Sequence, residues 1–210
     1  MTLTEVRDHI YLAKYDSQYL AAATHMRLQE FYESPLPGIR GKYFSIEDFM
    51  DAYAKAEGDF SYTSDWEAFN VPDVTIRAFV KVFYGHPMLE KERELFDKLA
   101  PLLGSDRKFY LVGMAGNEIG YLQHELAHAY YYLFPEYKAM MKRLSRQFRY
   151  KKEIRKALMK NGYCAAVVAD EVQAYLATGT KASNKADIEF TSGYKSEWKP
   201  FRKYFRLFDK

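Results

Sequence analysis

The sequence predicts an α+β protein in which helices predominate. Apolar residues recur at intervals of three and four over most of the chain, which is the spacing of one face of an α-helix. The most strand-like run is short, at residues 108–113, where four apolar or aromatic residues precede a glycine. The 210 residues are enough to bury a sizeable interior, either as one domain or as a mostly helical part, 1–105, and a second part, 106–210.

The first part is expected to consist of helices and loops. Residues 3–33 carry apolar and aromatic residues at helical spacing, which predicts one or two helices, and two prolines then end the pattern. Ser45 is expected to cap a short helix, because a serine hydroxyl can accept a hydrogen bond from a first-turn N–H. Residues 60–72 predict an ordered loop, whereas residues 73–84 fit a helix or a strand.

The middle of the chain predicts a helix, a strand and a turn in that order. The helix covers residues 88–103 and ends at a glycine, and the strand follows at residues 108–113. Residues 113–116 then form a turn, and Asn117 is a suitable N-cap for the helix that comes next.

That next helix contains the sequence His124-Glu125-Leu126-Ala127-His128. Four residues of an α-helix turn through about 400°, so His124 and His128 project from one face, one turn apart, where both can bind the same metal ion. Glu125 lies on an adjoining face, from which it can reach a water molecule on that metal without being a ligand. This pattern predicts two ligands and a general base.

The surroundings of the motif favour a site over a chance match. On a helical projection the histidines and Glu125 lie opposite an apolar stripe, whereas core histidines would be scattered on or beside it. The stripe consists of Ile119, Leu122, Leu126, Ala129 and Leu133, and the polar side also carries Asn117, Tyr121 and Tyr132.

The rest of the chain is expected to be helical with one loop. Pro135 ends the motif helix, residues 136–161 continue as basic helices, and residues 163–178 form another helix. Residues 179–193 are polar and predict a loop. A closing helix over 196–208 should pack its aromatic residues on the core.

The motif resembles that of the zincin metallopeptidases, whose active-site helix carries two histidine ligands and a glutamate base. Over about a third of the chain the resemblance implies a zincin-like core, with a small β-sheet packed beside the motif helix and an edge strand that pairs with extended substrate. The metzincin branch is excluded, because it needs Gly at position 131 and His at 134, where this chain has Tyr131 and Phe134. The gluzincin branch instead takes its third ligand from a Glu on a later helix.

Glu171 is the candidate for that third ligand. An ionised carboxylate there needs a cation as its partner, because the helical face it shares is mostly apolar. That face carries Cys164, Val167, Val168, Tyr175 and Thr178. A metal on the two histidines would supply one, although a nearby Lys or Arg would also do so. Other carboxylates that could be the ligand are Glu136, Asp187 and Glu189.

With one Zn²⁺ on His124, His128 and Glu171, the expected activity is hydrolysis of peptide bonds with Glu125 as general base. Tyr175 is the first choice for a side chain that stabilises the oxyanion, and Tyr121 and Tyr132 compete for that role. Asp170 and Asn117 are candidates to accept the remaining histidine N–H groups. The substrate would be a peptide or protein.

Charge is distributed unevenly along the chain. Residues 1–100 hold 11 basic and 17 acidic residues, and residues 101–210 hold 20 basic and 11 acidic ones. Residues 138–160 alone contain ten Lys or Arg and a single acid. Such a segment is usually a solvated helix face, but an alternative function is a non-catalytic zincin-like domain that binds nucleic acid or an acidic protein through 138–160. A third reading makes the motif coincidental and the protein a structural one.

The expected location is cytoplasmic. No apolar run approaches the roughly 20 residues of a membrane span, and no signal peptide is visible at the start of the sequence. The single Cys164 rules out an intramolecular disulfide and a cysteine cluster for structural zinc.

Overall fold

The structure is a computed structural model that describes residues 1–117, 119–160, 163–179 and 197–209. Within it the chain divides into two compact units, Met1–Asn117 (unit 1) and Glu118–Lys210 (unit 2). The predicted division assigned residues 106–117 to the second part. The structure assigns them to unit 1, because a strand within that range is hydrogen-bonded between two other strands of unit 1.

Unit 1 has four strands. They are β1 Thr2–Arg7, β2 Ile10–Tyr15, β3 Ala68–Pro72 and β4 Tyr110–Ala115. The strands form one mixed sheet in the order β1-β2-β4-β3. The β1–β2 and β3–β4 pairs are antiparallel, and the β2–β4 pair is parallel.

The predicted helices over residues 3–33 are wrong for the first half of that range. Only α1, Gln18–Glu33, is helical, and it begins after Ser17, whose side chain accepts a hydrogen bond from the Leu20 N–H. The residues before it form β1 and β2, because β2 pairs along its whole length with β4, far away in the sequence. The spacing of apolar residues within a segment does not indicate which distant strand the segment will pair with.

The strand predicted over 108–113 is confirmed as β4, but β4 is not an edge strand. Its two sides are hydrogen-bonded to β2 and β3, so an extended peptide cannot add to it. The loop predicted over 60–72 is also corrected, since Tyr62–Asp65 forms the short helix α3 and the residues after it form β3.

The other helices of unit 1 follow their local signals. Ser45 and Asp48 form a capping box at the start of one, and Gly58, in the left-handed conformation at φ 98°, ends it. The ambiguous stretch 73–84 is helical. These helices are α2 Ile46–Glu57, α4 Asp73–Phe83 and α5 Glu90–Leu103.

The buried polar contacts of unit 1 include a tyrosine–histidine contact and an arginine–glutamate ion pair. The Tyr15 hydroxyl lies 3.0 Å from Nε2 of His25, whose ring stacks on Phe69, and burial lowers the pKa of His25 to about 3. Arg27 donates two hydrogen bonds to the Glu92 carboxylate, and both side chains are at most 3% exposed.

The described secondary-structure elements of unit 2 are all helices. They are α6 Ile119–Leu133, α7 Pro135–Gln147, α8 Lys151–Lys160, α9 Val168–Thr178 and α10 Lys199–Phe208. Helix α9 contacts each of the other four, and α10 packs Phe201, Phe205 and Phe208 inward, as predicted for the closing helix. Pro135 ends α6 and begins α7, also as predicted.

The predicted fold class, α+β with helices predominating, is confirmed. The sheet belongs to unit 1 and the motif helix to unit 2, so the zincin-like core stays a prediction. None of the helices in the described ranges combines the length and the apolar character that crossing a membrane requires.

Candidate metal centre

The motif residues lie in the second and third turns of α6 and are buried. His124, Glu125 and His128 are between 2% and 6% exposed. The sequence predicted that one face of this helix packs and that the other is polar. The burial differs from this prediction, because every residue from His124 to Tyr131 is buried. Ile119, in the predicted apolar stripe, is 70% exposed. The polar face is covered by α9, which packs against α6.

Glu171 is in the first turn of α9 and is 4% exposed. Its Oε1 lies 3.5 Å from Nε2 of His128, and its Oε2 lies 3.6 Å from Nε2 of His124. The two Nε2 atoms are 3.2 Å apart. One ligand atom from each residue therefore falls within 4.8 Å of the other two, and the structure brings together the three residues predicted as ligands.

The chemistry of these three residues fits a divalent metal ion. Two imidazole nitrogens and one carboxylate are a common donor set for catalytic zinc, with a fourth position left for water. Glu171 Oε2 is buried and has no hydrogen-bond partner in the described part of the chain. A buried carboxylate oxygen without a donor is costly, and a cation shared with the histidines would remove that cost.

The charges of the group support each other. Burial alone would lower the pKa of His128, but the carboxylates of Glu171, Asp170 and Glu125 more than offset this and raise its pKa well above the usual value. Burial alone would raise the pKa of Glu171, but His128 and His124 lower it. The imidazole of His128 and the carboxylate of Glu171 thus each favour the charged form of the other.

The Nδ1 atoms of the two histidines meet different side chains of α9. Asp170 Oδ1 lies 3.1 Å from Nδ1 of His128, and Thr178 Oγ1 lies 3.4 Å from Nδ1 of His124. Asp170 was one of the two candidates for such a role. The other, Asn117, accepts a hydrogen bond from Lys14 in unit 1 instead. Both contacts direct the Nε2 atoms of the histidines toward Glu171.

Gln173 joins the two helices beside Asp170. Its Nε2 donates to Asp170 Oδ1 at 2.8 Å and to the Ala127 carbonyl at 3.2 Å. Neither Gln173 nor Thr178 was predicted as part of the site. Their helical offsets of two and seven residues from Glu171 were visible in the sequence, but only the packing of α9 on α6 identifies their partners.

Tyr175 contacts the site through its ring. The ring packs edge-on against His124 with the centroids 4.6 Å apart, and its hydroxyl lies 3.0 Å from the Tyr163 hydroxyl. The competing candidates, Tyr121 and Tyr132, are half-buried on α6.

The other carboxylates considered as ligands do not join the group. Glu136 is exposed in the first turn of α7. Asp187 and Glu189 lie outside the described residues.

The resemblance to zincins thus rests on the residues of α6 and α9. Comparison with known proteins adds nothing to it: no protein-family model, no curated protein and no solved structure matches this chain.

Proposed function

We propose that this chain is a zinc-dependent metallopeptidase, a hydrolase that binds one Zn²⁺ through His124, His128 and Glu171. The observation that carries this proposal is the convergence of one ligand atom from each of these residues within 4.8 Å, on two helices packed in unit 2. Glu125, next to the first ligand in the chain, supports a catalytic role in addition to metal binding.

Zinc held by these residues would lower the pKa of a water molecule to about 7 and polarise the carbonyl of a peptide bond. Glu125 would accept a proton from the attacking water on a carboxylate oxygen and pass it to the leaving amine. Asp170 and Thr178 would hold the histidines in orientation throughout, because each faces an Nδ1 atom.

Tyr175 would stabilise the oxyanion in this proposal, but its contacts add a second role. To donate to an oxyanion, its hydroxyl must exchange the contact with Tyr163, whereas its ring already supports His124. Tyr175→Phe separates the two roles: it keeps the ring and removes the donor. A loss of kcat with zinc affinity unchanged would support the oxyanion role.

The first test is the zinc content of protein purified without an affinity metal column. We expect about one zinc per chain in the wild type, and strongly reduced zinc in His124→Ala and Glu171→Ala. Glu125→Gln should keep its zinc and lose hydrolysis of a peptide library by roughly a hundredfold or more, as expected for a general base. A wild type that stays metal-free after incubation with zinc at neutral pH would contradict the proposal.

A second candidate function is favoured by the deep burial of the centre and by the charge of α7 and α8. A metal at a closed site can be structural, and residues 138–160 carry ten cations that could bind nucleic acid or an acidic protein. This candidate predicts zinc binding and salt-sensitive association that survive Glu125→Gln, with no hydrolysis in the wild type. The cytoplasmic location expected from the sequence remains part of either proposal.

A further inference from the structure

Helix α10 presents a basic stripe on its outer side. Lys199, Arg202, Lys203 and Arg206 follow one another at spacings of three, one and three residues, which places them on one face of the helix. Together with Leu207 they line an open groove of about 410 Å³, which we call the α10 groove. Leu207 is 55% exposed and is the apolar member of this lining.

The opposite, apolar side of α10 is already occupied by the fold. Phe201 and Phe205 are buried, and Phe208 packs against Tyr130 and Tyr137. A basic amphipathic helix can insert its apolar face into a lipid surface, but this one has used that face to pack against its own unit. Among the described residues, the side of α10 that stays exposed is the charged one.

One residue of the α10 groove is connected to the metal centre through Thr178. Arg202 donates from Nη2 to the carbonyl oxygen of Thr178 at 3.3 Å, and the Thr178 hydroxyl is 3.4 Å from Nδ1 of His124. One groove residue is therefore two contacts away from a proposed zinc ligand, within the same unit.

The α7–α8 junction packs on the side of α10 opposite the groove, where the ring of Phe148 meets that of Phe201. Arg149, at that junction, has a side chain that is 76% exposed, and Glu197 contacts it. The charge that favours an anionic partner is therefore that of the four groove cations themselves.

We propose, building on the peptidase function proposed above, that the α10 groove binds acidic segments of polypeptide substrates. Carboxylates complement its four cations, and a neighbouring apolar side chain of the substrate can contact Leu207. Arg202 links this face to Thr178, which contacts His124, so a polypeptide held there would lie on the same unit as the centre.

Nucleic acid fits the groove less well. Proteins that bind single strands stack bases on exposed aromatic rings, and the exposed large apolar residues in the described part of unit 2 are Ile119, Met159 and Leu207. The cationic stripe spans about 10 Å of one helix, which suits a few carboxylates rather than a long phosphate backbone.

The test measures binding by the zinc-loaded Glu125→Gln protein, so that no substrate is consumed. The probes are a fluorescent peptide of alternating Glu and Ala, the same peptide with Lys in place of Glu, and a labelled DNA duplex. In this background we reverse the charge of the groove with the triple change Lys199→Glu, Lys203→Glu and Arg206→Glu. Arg202 is kept because it holds Thr178, and the matched control is Lys55→Glu, Lys81→Glu and Lys98→Glu, three exposed cations of unit 1.

We expect the acidic peptide to bind, to weaken with added salt, and to lose affinity about tenfold or more in the groove variant, since each 1.4 kcal/mol is a factor of ten. The unit 1 control, with the same net charge, should change affinity by less than about threefold, because its charges are outside the groove. A variant with Gln at the same three groove positions should bind the acidic peptide with an affinity between those of the groove variant and the unit 1 control. It tests the inference if charge reversal unfolds the protein.

Equal affinity for the Glu and Lys peptides, or an equal loss in the unit 1 control, would overturn the inference. Groove-dependent binding of the duplex without the acidic peptide would overturn it in favour of nucleic acid. In the active protein, the groove variant should raise KM for acidic substrates with little change in kcat. If zinc binds but the acidic peptide does not, only the groove assignment fails; if no zinc binds, the peptidase function fails whatever the groove binds.

Discussion

Asp170 Oδ1 lies 3.1 Å from Nδ1 of His128, and the next residue in the chain, Glu171, faces the Nε2 atom of the same ring. Two consecutive carboxylates of α9 thus contact opposite sides of one imidazole. Asp170 fixes the orientation of the ring, and Glu171 faces the Nε2 atom through which the ring would bind the metal. This arrangement makes Asp170 a positioning residue for the proposed zinc centre.

Replacing Asp170 should weaken zinc binding without removing a ligand. We expect Asp170→Ala to reduce zinc affinity about 10- to 100-fold, the usual effect of losing a partner of a ligating histidine, and Asp170→Asn to retain part of it through its amide oxygen. Competition with a chromophoric chelator measures both. Glu153→Ala, which removes an exposed carboxylate of α8, is the control, and an Asp170→Ala protein with wild-type affinity would contradict the assignment.

Removing one partner of the buried ion pair Arg27–Glu92 should destabilise the protein more than removing both charges. Glu92→Gln leaves the Arg27 charge buried without its counter-ion and should cost about 3–5 kcal/mol in unfolding free energy. The double change Arg27→Met and Glu92→Gln removes both charges and should be more stable than Glu92→Gln alone. Urea denaturation of the wild type, of Arg27→Met, of Glu92→Gln and of the double variant gives the coupling, and losses that simply add would show that the two side chains are not coupled.

The free energy of unfolding should decrease as the pH is lowered, because His25 is buried in its neutral form. Burial lowers its pKa to about 3 from the free value of 6.5, so the unfolded chain binds a proton there that the folded protein does not. The contribution is complete above about pH 6.5 and is lost as the pH falls toward 3, at up to about 1.4 kcal/mol per pH unit. The change from pH 7 to pH 5 should therefore be larger in the wild type than in His25→Gln, measured by urea denaturation, and equal changes would be the contrary result.

Gly113 should not tolerate a side chain. A Cβ at this position of β4 would lie 2.2 Å from Nε2 of His25, a buried ring that is stacked on Phe69 and cannot move away. Gly113→Ala should cost about 1–3 kcal/mol or more, as overpacking of a core does. Gly120→Ala, where a Cβ meets nothing within 4 Å, is the control and should be neutral or slightly stabilising in thermal denaturation.

Local signals in the sequence predicted local features well. The Ser45 cap, the break at Pro135 and the strand before the motif helix all depend on a few neighbouring residues, and the structure has each of them. The choice of Glu171 as third ligand also began from a local conflict, a carboxylate on an apolar face. The structure confirms that this residue meets His124 and His128, while the metal itself stays a prediction.

Features that depend on distant partners were missed or misjudged. Residues 3–15 were predicted as helix because apolar spacing cannot reveal that β2 pairs with β4 across the chain. For the same reason β4 was expected at a sheet edge, although it lies between two strands.

By itself, therefore, the sequence determined the fold class, the position of the motif on a helix and the types of side chain available for a metal. The tertiary structure alone decided that the polar face of α6 is buried, that Thr178 and Gln173 join the site, and that Arg202 of α10 contacts Thr178. The physical reason is that helical periodicity and capping act over a few residues, whereas burial and ion pairing are set by which elements pack together.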